Sequence, residues 1–352
     1  MERKVTKATT KDVVSVTGEP TLLLVVDIGM HFVKAVYRDL EGNMKTLLMS
    51  SEVEEGESLT RYTTIIDGEK WNVSEGGDAK TKVCEYDKVF TKATKYHRSL
   101  LRRMLYKIYL EVKPQYKKFD LIVGASVDTF TTTRGTDVIE TIGTGEFTIQ
   151  EGEDKEVTLE IVNIVAQPET ASSILGGILT KLKEKNLFLC DIGGLNNGVF
   201  VVREGKIQFN TQGVEVDIKG MNHILGHITS YYNQHNTENK IDRERVDYIL
   251  RRKCATDQDK IYIQGAVNEY MNMEFMPKLK ARGFNQAYGD SIEFIGGGAM
   301  ALKEYLESYC DTKNIECKIG KDTILTSAKG MLRKVELERK IQIPTGVPTG
   351  KK

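Results

Sequence analysis

Three observations predict an α/β protein folded in two lobes. The chain has 352 residues, enough for about two domains with a core each. A β-rich unit ending in Asp-Ile-Gly occurs twice, once from Leu22 and again from Leu187. Strand-like and helix-like segments alternate along the rest of the chain.

The first unit reads LLLVVDIGMHFVKAVYRDLEGNMKTLLM and the second LFLCDIGGLNNGVFVVREGKIQFNT. Each opens with an apolar run of β-formers, continues with a second run (VKAVYRD or GVFVVRE), and turns at Glu41-Gly42 or Glu204-Gly205. From Asp to turn Gly is 15 residues in one copy and 14 in the other. Glycine at such a turn suits a tight hairpin, so each unit is predicted to hold three strands.

Between the copies, Tyr62 to Ile66 and Trp71 to Ser74 flank Asp67-Gly68, another hairpin signal. Lys92 to Val112 carries Leu100, Leu101, Met104, Leu105, Ile108 and Tyr109 at helical spacing. Phe119 to Val127 reads as a buried strand, and Thr170 to Lys183 as a helix after Pro168. Beyond the second unit, helices are predicted over Met221 to Asn233, Asp242 to Lys253 and Val267 to Arg282. A strand over Ser291 to Ile295 then leads through Gly296-Gly297-Gly298 into a helix over Ala299 to Tyr309. Residues 1–20 and 344–352 are polar or rich in Pro, Gly and Lys, and are expected to be mobile.

Composition narrows the function. The hydrophobic fraction is 40% and the charged fraction 28%, ordinary values for a globular protein. Fifty basic residues balance fifty acidic ones, so the overall field does not favour a direct grip on nucleic acid. The five cysteines include no C-x-x-C pair, which suits free thiols in a reducing compartment. The first twenty residues lack the apolar stretch of a secretory signal, and no run approaches the roughly 18 apolar residues of a membrane span. A cytoplasmic protein without a membrane partner is expected.

An Asp-x-Gly turn at the end of a buried strand has a specific chemistry. Glycine lets the backbone approach a ligand, and successive N–H groups form an anion-binding nest. The carboxylate repels phosphate but can hold a hydrated Mg²⁺ that bridges to it. One such turn alone is an ordinary hairpin; two in matching context suit a polyphosphate clamped from both sides. Lys34, seven residues after Asp27, can bring a positive point charge to the first turn. Gly296 to Gly298, between a strand and a helix, add a turn suited to phosphate or ribose. Glu169 in QPET opens a helix; it either complements the helix dipole or orients an attacking water.

The ordered set DIGMHFVK, QPET, DIGGLNNG, QGVEVDIKG and IGGGA resembles the superfamily of actins, heat-shock chaperones and sugar kinases. Within it the chain looks most like the ParM-type bacterial actins of plasmid segregation, over about residues 21 to 342. The run DTILTSAKGML from Asp322 is similar to the family's closing motif, where the chain returns to the first lobe through a Gly-Met turn. This resemblance implies an actin-like fold of duplicated ribonuclease-H-like domains with nucleotide in the interlobe cleft. It implies a first lobe of residues 21–180 with 323–343 and a second of 181–322. Asp27, Gly29, Met30 and His31 would form the first phosphate loop, with Lys34 reaching the phosphates. Asp191, Gly193, Gly194, Leu195 and Asn196 would form the second. Asp27 and Asp191 would hold Mg²⁺ through water, and Glu169 would place the hydrolytic water. Gly213 and Gly296, Gly297 and Gly298 would line the nucleoside, ATP or GTP, with polar residues of Asp242 to Arg245 facing the base. Met30 and His31 stand where a hydroxyl residue is common, and Leu195-Asn196 where Thr-Thr is common.

The implied function is a filament-forming protein that assembles head to tail and hydrolyses nucleotide afterwards. It would reach plasmid DNA through a DNA-binding adaptor. A small-molecule kinase or a cell-shape or division actin on the same fold are the alternatives. Other signals weigh less. His223 and His227 are four apart but lack the Glu of H-E-x-x-H. Lys92, Lys95, Arg98, Arg102, Arg103 and Lys107 make a basic helix face, of a kind that is usually solvated. Cys310 and Cys317 are expected as unpaired thiols. Trp71 suits either core packing or a subunit contact.

Overall fold

The computed structural model describes residues 20–29, 31–57, 63–73, 93–112, 115–125, 130, 133–175, 186–194, 196–203, 206–208 and 214–341. The first Asp-Ile-Gly unit forms β1 (Thr21–Ile28), β2 (Phe32–Arg38) and β3 (Met44–Ser50). β4 (Val53–Glu55), β5 (Thr64–Ile66) and β6 (Glu69–Val73) follow. The Glu41-Gly42 and Asp67-Gly68 hairpin signals hold, and Glu204-Gly205 lies outside the described residues. Gly42 has φ 81° in the turn between β2 and β3, and Asp67 and Gly68 have φ 51° and 81° between β5 and β6, the left-handed pair that a two-residue hairpin requires.

Helix α1 (Lys95–Val112) and β7 (Lys118–Ala125) come next, then the short α2 (Thr136–Ile142). The antiparallel pair β8 (Gly145–Glu151) and β9 (Val157–Pro168) was not anticipated. Its polar residues alternate toward solvent and mask the buried face made by Phe147, Ile149, Leu159 and Ile161. These strands make one sheet in the order β3-β2-β1-β7-β9-β8-β5-β6-β4. Short α3 (Ala171–Leu175) begins directly after Glu169-Thr170; the rest of the predicted helix lies outside the described residues.

The second unit repeats the first in a second sheet. β10 (Leu187–Ile192) pairs antiparallel with β11 (Asn196–Arg203), as β1 pairs with β2. The third strand differs. β12 (Lys206–Ile207) has two residues, and β13 (Val214–Lys219) pairs along the rest of β11. Then come α4 (Met221–His235), α5 (Arg243–Arg252) and α6 (Asp257–Tyr270). A π-helical turn (Met271–Phe275) joins α6 to α7 (Met276–Ala281).

The predicted helix over Val267 to Arg282 therefore starts ten residues early, at Asp257. Thr256 accepts from the Asp259 amide while the Asp259 carboxylate accepts from the Thr256 amide, a complete capping box. Ile261, 62% exposed, breaks the apolar stripe there and hides the start. β14 (Ser291–Ile295) runs straight into α8 (Gly296–Ala301), so the three glycines are the first turn of a helix and not a connector before one. Helix α9 (Lys303–Thr312) and the unanticipated β15 (Cys317–Ile319) complete this sheet, in the order β12-β11-β10-β14-β15.

The final helix, α10 (Thr326–Glu338), returns to the first sheet. Its Ala328, Met331, Leu332 and Val335 pack on Val25, Val36 and Ile122. Arg38 on β2 pairs with Glu336, which is 3% exposed. Gly330-Met331, expected as a turn, lies inside α10. The glycine there answers to packing. A Cβ on Gly330 would sit 2.6 Å from the Ser172 carbonyl oxygen and run into the Ser173 backbone of α3. Gly330→Ala gains roughly 1 kcal/mol of helix propensity but meets backbone that cannot swing aside, an overpacking cost of about 1–3 kcal/mol. A lower melting temperature is expected; an unchanged or raised one would mean that α3 and α10 separate freely.

The basic face of α1 is not a free cationic surface. Arg102 pairs with Asp67, Lys95 with Glu55, and Arg103, 5% exposed, with Glu151. These pairs engage three of the six basic residues of that face; Lys92 lies outside the described residues. Trp71 is 1% exposed and belongs to the first core. No helix among the described residues is long and apolar enough to cross a membrane.

Candidate functional site

Strand register brings the predicted carboxylates together. On antiparallel strands, directly opposed residues share a face. Asp27 on β1 opposes Lys34 on β2, and Lys34 Nζ donates to Asp27 Oδ2 at 2.8 Å. Asp27 is 2% exposed, and a buried carboxylate is stable only when paired or hydrogen-bonded. The first turn is tied down by Ser51, a fully buried residue that sequence reasoning missed. Its hydroxyl donates to the Gly29 carbonyl, and its amide to the His31 carbonyl at 3.1 Å. The Gly29 amide closes the turn onto the Phe32 carbonyl at 2.9 Å.

Glu169 follows the last residue of β9, and its amide donates to the Ala125 carbonyl at the end of β7. β7 runs parallel to both β1 and β9, so the ends of the three strands lie side by side. Gly124 makes the convergence sterically possible. A Cβ there would lie 2.8 Å from Glu169 Oε1 and 3.2 Å from Asp27 Oδ1. Both carboxylates thus reach into the space left by one missing side chain. Within the sequence, Gly124 reads only as an interruption of a buried strand.

The second turn is built the same way on β10. Asp191 is next to Ile295 of parallel β14, which places the start of α8 beside it. Gly296 has φ 92°, and a Cβ there would collide with Asp191 Oδ1 and sit 2.8 Å from the Ile192 carbonyl. Gly298 is closed off likewise by the Ile192 side chain. Gly297 has only Ile324 nearby, at 3.8 Å. The carbonyls of Gly193 and Gly194 accept from the Met221 and Asn222 amides at 2.8 and 2.9 Å, so this turn also caps α4. Burial, then the Asp191 charge, pushes the Cys190 thiol well up.

Thr170 spans the two halves: its hydroxyl donates to Asp191 Oδ2 at 2.6 Å. Asp27, Lys34, Gly124, Glu169, Thr170, Asp191 and Gly296 therefore form one connected set. Met30, Leu195 and Gly213 lie outside the described residues, and Asn196 is the first residue of β11. In the segment expected near a base, Asp242 caps α5 by accepting from the Arg245 amide. Arg245 lies over its own helix neighbour Tyr248. Farther along α5, the Arg251 guanidinium sits 5.5 Å from the Phe32 ring, directly after the first turn.

The donor set fits Mg²⁺. Hard carboxylate oxygens are its preferred protein ligands, usually with water between, and Asp27 and Asp191 supply one carboxylate each, packed against Gly124 and Gly296; among the described residues no group of three or more His, Cys, Asp or Glu is gathered to hold an ion directly. His223 and His227 instead pair with Glu274 at 2.8 Å and Glu269 at 3.8 Å. A separate cavity of about 850 Å³ in the second lobe, lined by Asn272, Met276, Lys280, Phe284, Tyr309 and Lys313, includes no predicted site residue.

Residues 25–169 match a protein-family description, that of the N-terminal domain of actin-like proteins. No curated protein sequence matches the chain. Solved structures do. A non-polymerisable quadruple mutant of pCBH ParM is 16% identical, with TM-score 0.69 over 92% of this chain and 100% of that one. Bacillus thuringiensis ParM with ATP is 14% identical, with TM-score 0.61 over 91% and 99%. An Alp12 filament is 19% identical, with TM-score 0.60 over 91% and 99%.

Proposed function

We propose that this chain, which has the actin-like fold and an actin-like N-terminal domain in its first lobe, is a nucleotide-dependent filament protein of the plasmid-segregating kind. The observation that carries the proposal is that Asp27 and Glu169 converge over Gly124 while Thr170, the residue after Glu169, donates to Asp191 of the second glycine turn. A nucleoside triphosphate would lie between the turns. Asp27 and Asp191 would hold Mg²⁺ through water, and the bound ion would neutralise charge on the phosphates. Backbone amides of the turn that begins at Gly29 would cradle the phosphates. Lys34, held against Asp27, would balance their charge. Gly296 to Gly298 would line the nucleoside at the start of α8. Glu169 would orient the attacking water and draw off its proton.

Assembly follows from the same reading. Head-to-tail contacts whose rotation does not close give open filaments, and a hinge between lobes lets hydrolysis weaken such contacts. Two of the matched structures are filaments, of Alp12 and of AlfA from a Bacillus subtilis plasmid. The neutral net charge and the paired basic face of α1 favour an adaptor over direct DNA contact. Electron microscopy of the purified chain tests this. Filaments are expected with Mg-ATP or Mg-GTP and not with the nucleotide omitted. Monomers under every condition, with transfer of phosphate to a small-molecule acceptor, would instead identify a kinase.

A further inference from the structure

Thr170 has features that the nucleotide-binding reading does not use. It is a β-branched residue at φ 49°, a left-handed conformation that such residues avoid. It is 5% exposed. Every polar group around it is committed. The hydroxyl donates to Asp191 Oδ2 at 2.6 Å. The amide donates to Ser327 Oγ of α10 at 3.1 Å. Its carbonyl accepts from the Ser173 amide at 3.0 Å and from the Ser173 hydroxyl. On its two sides, the Ala171 amide donates to the Glu169 carbonyl. The peptide that carries Glu169 is thus pinned from the second sheet through Asp191 and from α10, which packs on the first sheet, through Ser327.

We infer that Thr170 is a positioning residue that sets the Asp191 carboxylate and the Glu169 peptide together, and so ties hydrolysis to the approach of the two lobes. The inference rests on the nucleotide reading above. Its physical basis is a division of labour on one side chain. The hydroxyl fixes Oδ2 of Asp191, while Oδ1 lies against Gly296 at the start of α8. A displacement of Asp191 relative to the first lobe is passed through that hydrogen bond to a backbone with no slack, and Glu169 moves with it. Strained backbone at a functional site persists only when its surroundings over-determine it, and here three hydrogen-bonding groups do so.

The test uses the full chain with Thr170→Val, which keeps the branched shape and removes the hydroxyl, and Thr170→Ser, which keeps the hydroxyl. Binding of a fluorescent triphosphate is titrated with Mg²⁺, and single-turnover hydrolysis is measured on the saturated protein. Groups that orient a metal's own ligands are worth about 10- to 100-fold in metal affinity or rate. Thr170→Val is therefore expected to need about tenfold more Mg²⁺ for half-maximal binding and to hydrolyse at least about tenfold more slowly when saturated. Thr170→Ser should stay near wild type in both, and thermal unfolding of the two variants should be similar. If Thr170→Val matches wild type in Mg²⁺ dependence and rate, or if Thr170→Ser is equally impaired, the inference is overturned. If the wild-type chain itself binds no triphosphate, the nucleotide reading fails and takes the inference with it.

Discussion

Replacing Glu169 with glutamine is expected to slow triphosphate hydrolysis by about 10²- to 10⁴-fold, the usual worth of a general base, while nucleotide binding and assembly persist. The side chain keeps its size and its place beside Gly124; only the capacity to take a proton is lost. Filaments of the variant should accumulate and resist disassembly, because the step that weakens their contacts has been removed. Phosphate release at a single turnover is the measurement. A wild-type rate would reduce Glu169 to a dipole-complementing acid at the start of α3.

Gly296→Val carries the second large effect. The position has φ 92°, where a β-branched residue is strained by about 1–3 kcal/mol, and its Cβ would collide with the Asp191 carboxylate. Asp191 must then move away from the place where the two turns meet. Since each 1.4 kcal/mol is tenfold in affinity, Mg-nucleotide binding should weaken by about 5- to 140-fold. Gly226→Ala, within α4, is the matched control. Its Cβ would meet nothing within 4 Å, and binding should stay within about twofold, the ordinary range for an uncrowded substitution. Equal losses in both variants would contradict the collision with Asp191 as the cause.

Much of this arrangement is written locally. The Asp-Ile-Gly units, the Glu41-Gly42 and Asp67-Gly68 turns and the period of α1 depend on neighbours a few residues away, so they are readable from the chain. What escaped depends on register between distant segments. Gly124 matters because β7 lies between β1 and β9 and aligns it with Gln167, two residues before Glu169. Gly296 abuts Asp191 because β14 aligns Ile295 with it. Ser51 and Thr170 are ordinary polar residues until the fold aims them at the turns. Gly330 shows the converse: read locally it breaks a helix, yet it lies within α10 because the α3 backbone leaves no room for a side chain. The basic stripe on α1 misleads in the same way, since its acidic partners Asp67 and Glu151 come from elsewhere in the chain.

The most direct test of a Mg-triphosphate held between Asp27 and Asp191 and driving assembly is sedimentation of the full chain beside Asp191→Ala. Samples contain Mg-ATP, Mg-GTP, the diphosphates, or no nucleotide. The expected result is a wild-type pellet with one or both triphosphates, little with diphosphate, and none from Asp191→Ala. A wild-type chain that binds nucleotide yet stays in the supernatant throughout, or an Asp191→Ala chain that pellets as well as wild type, would contradict it.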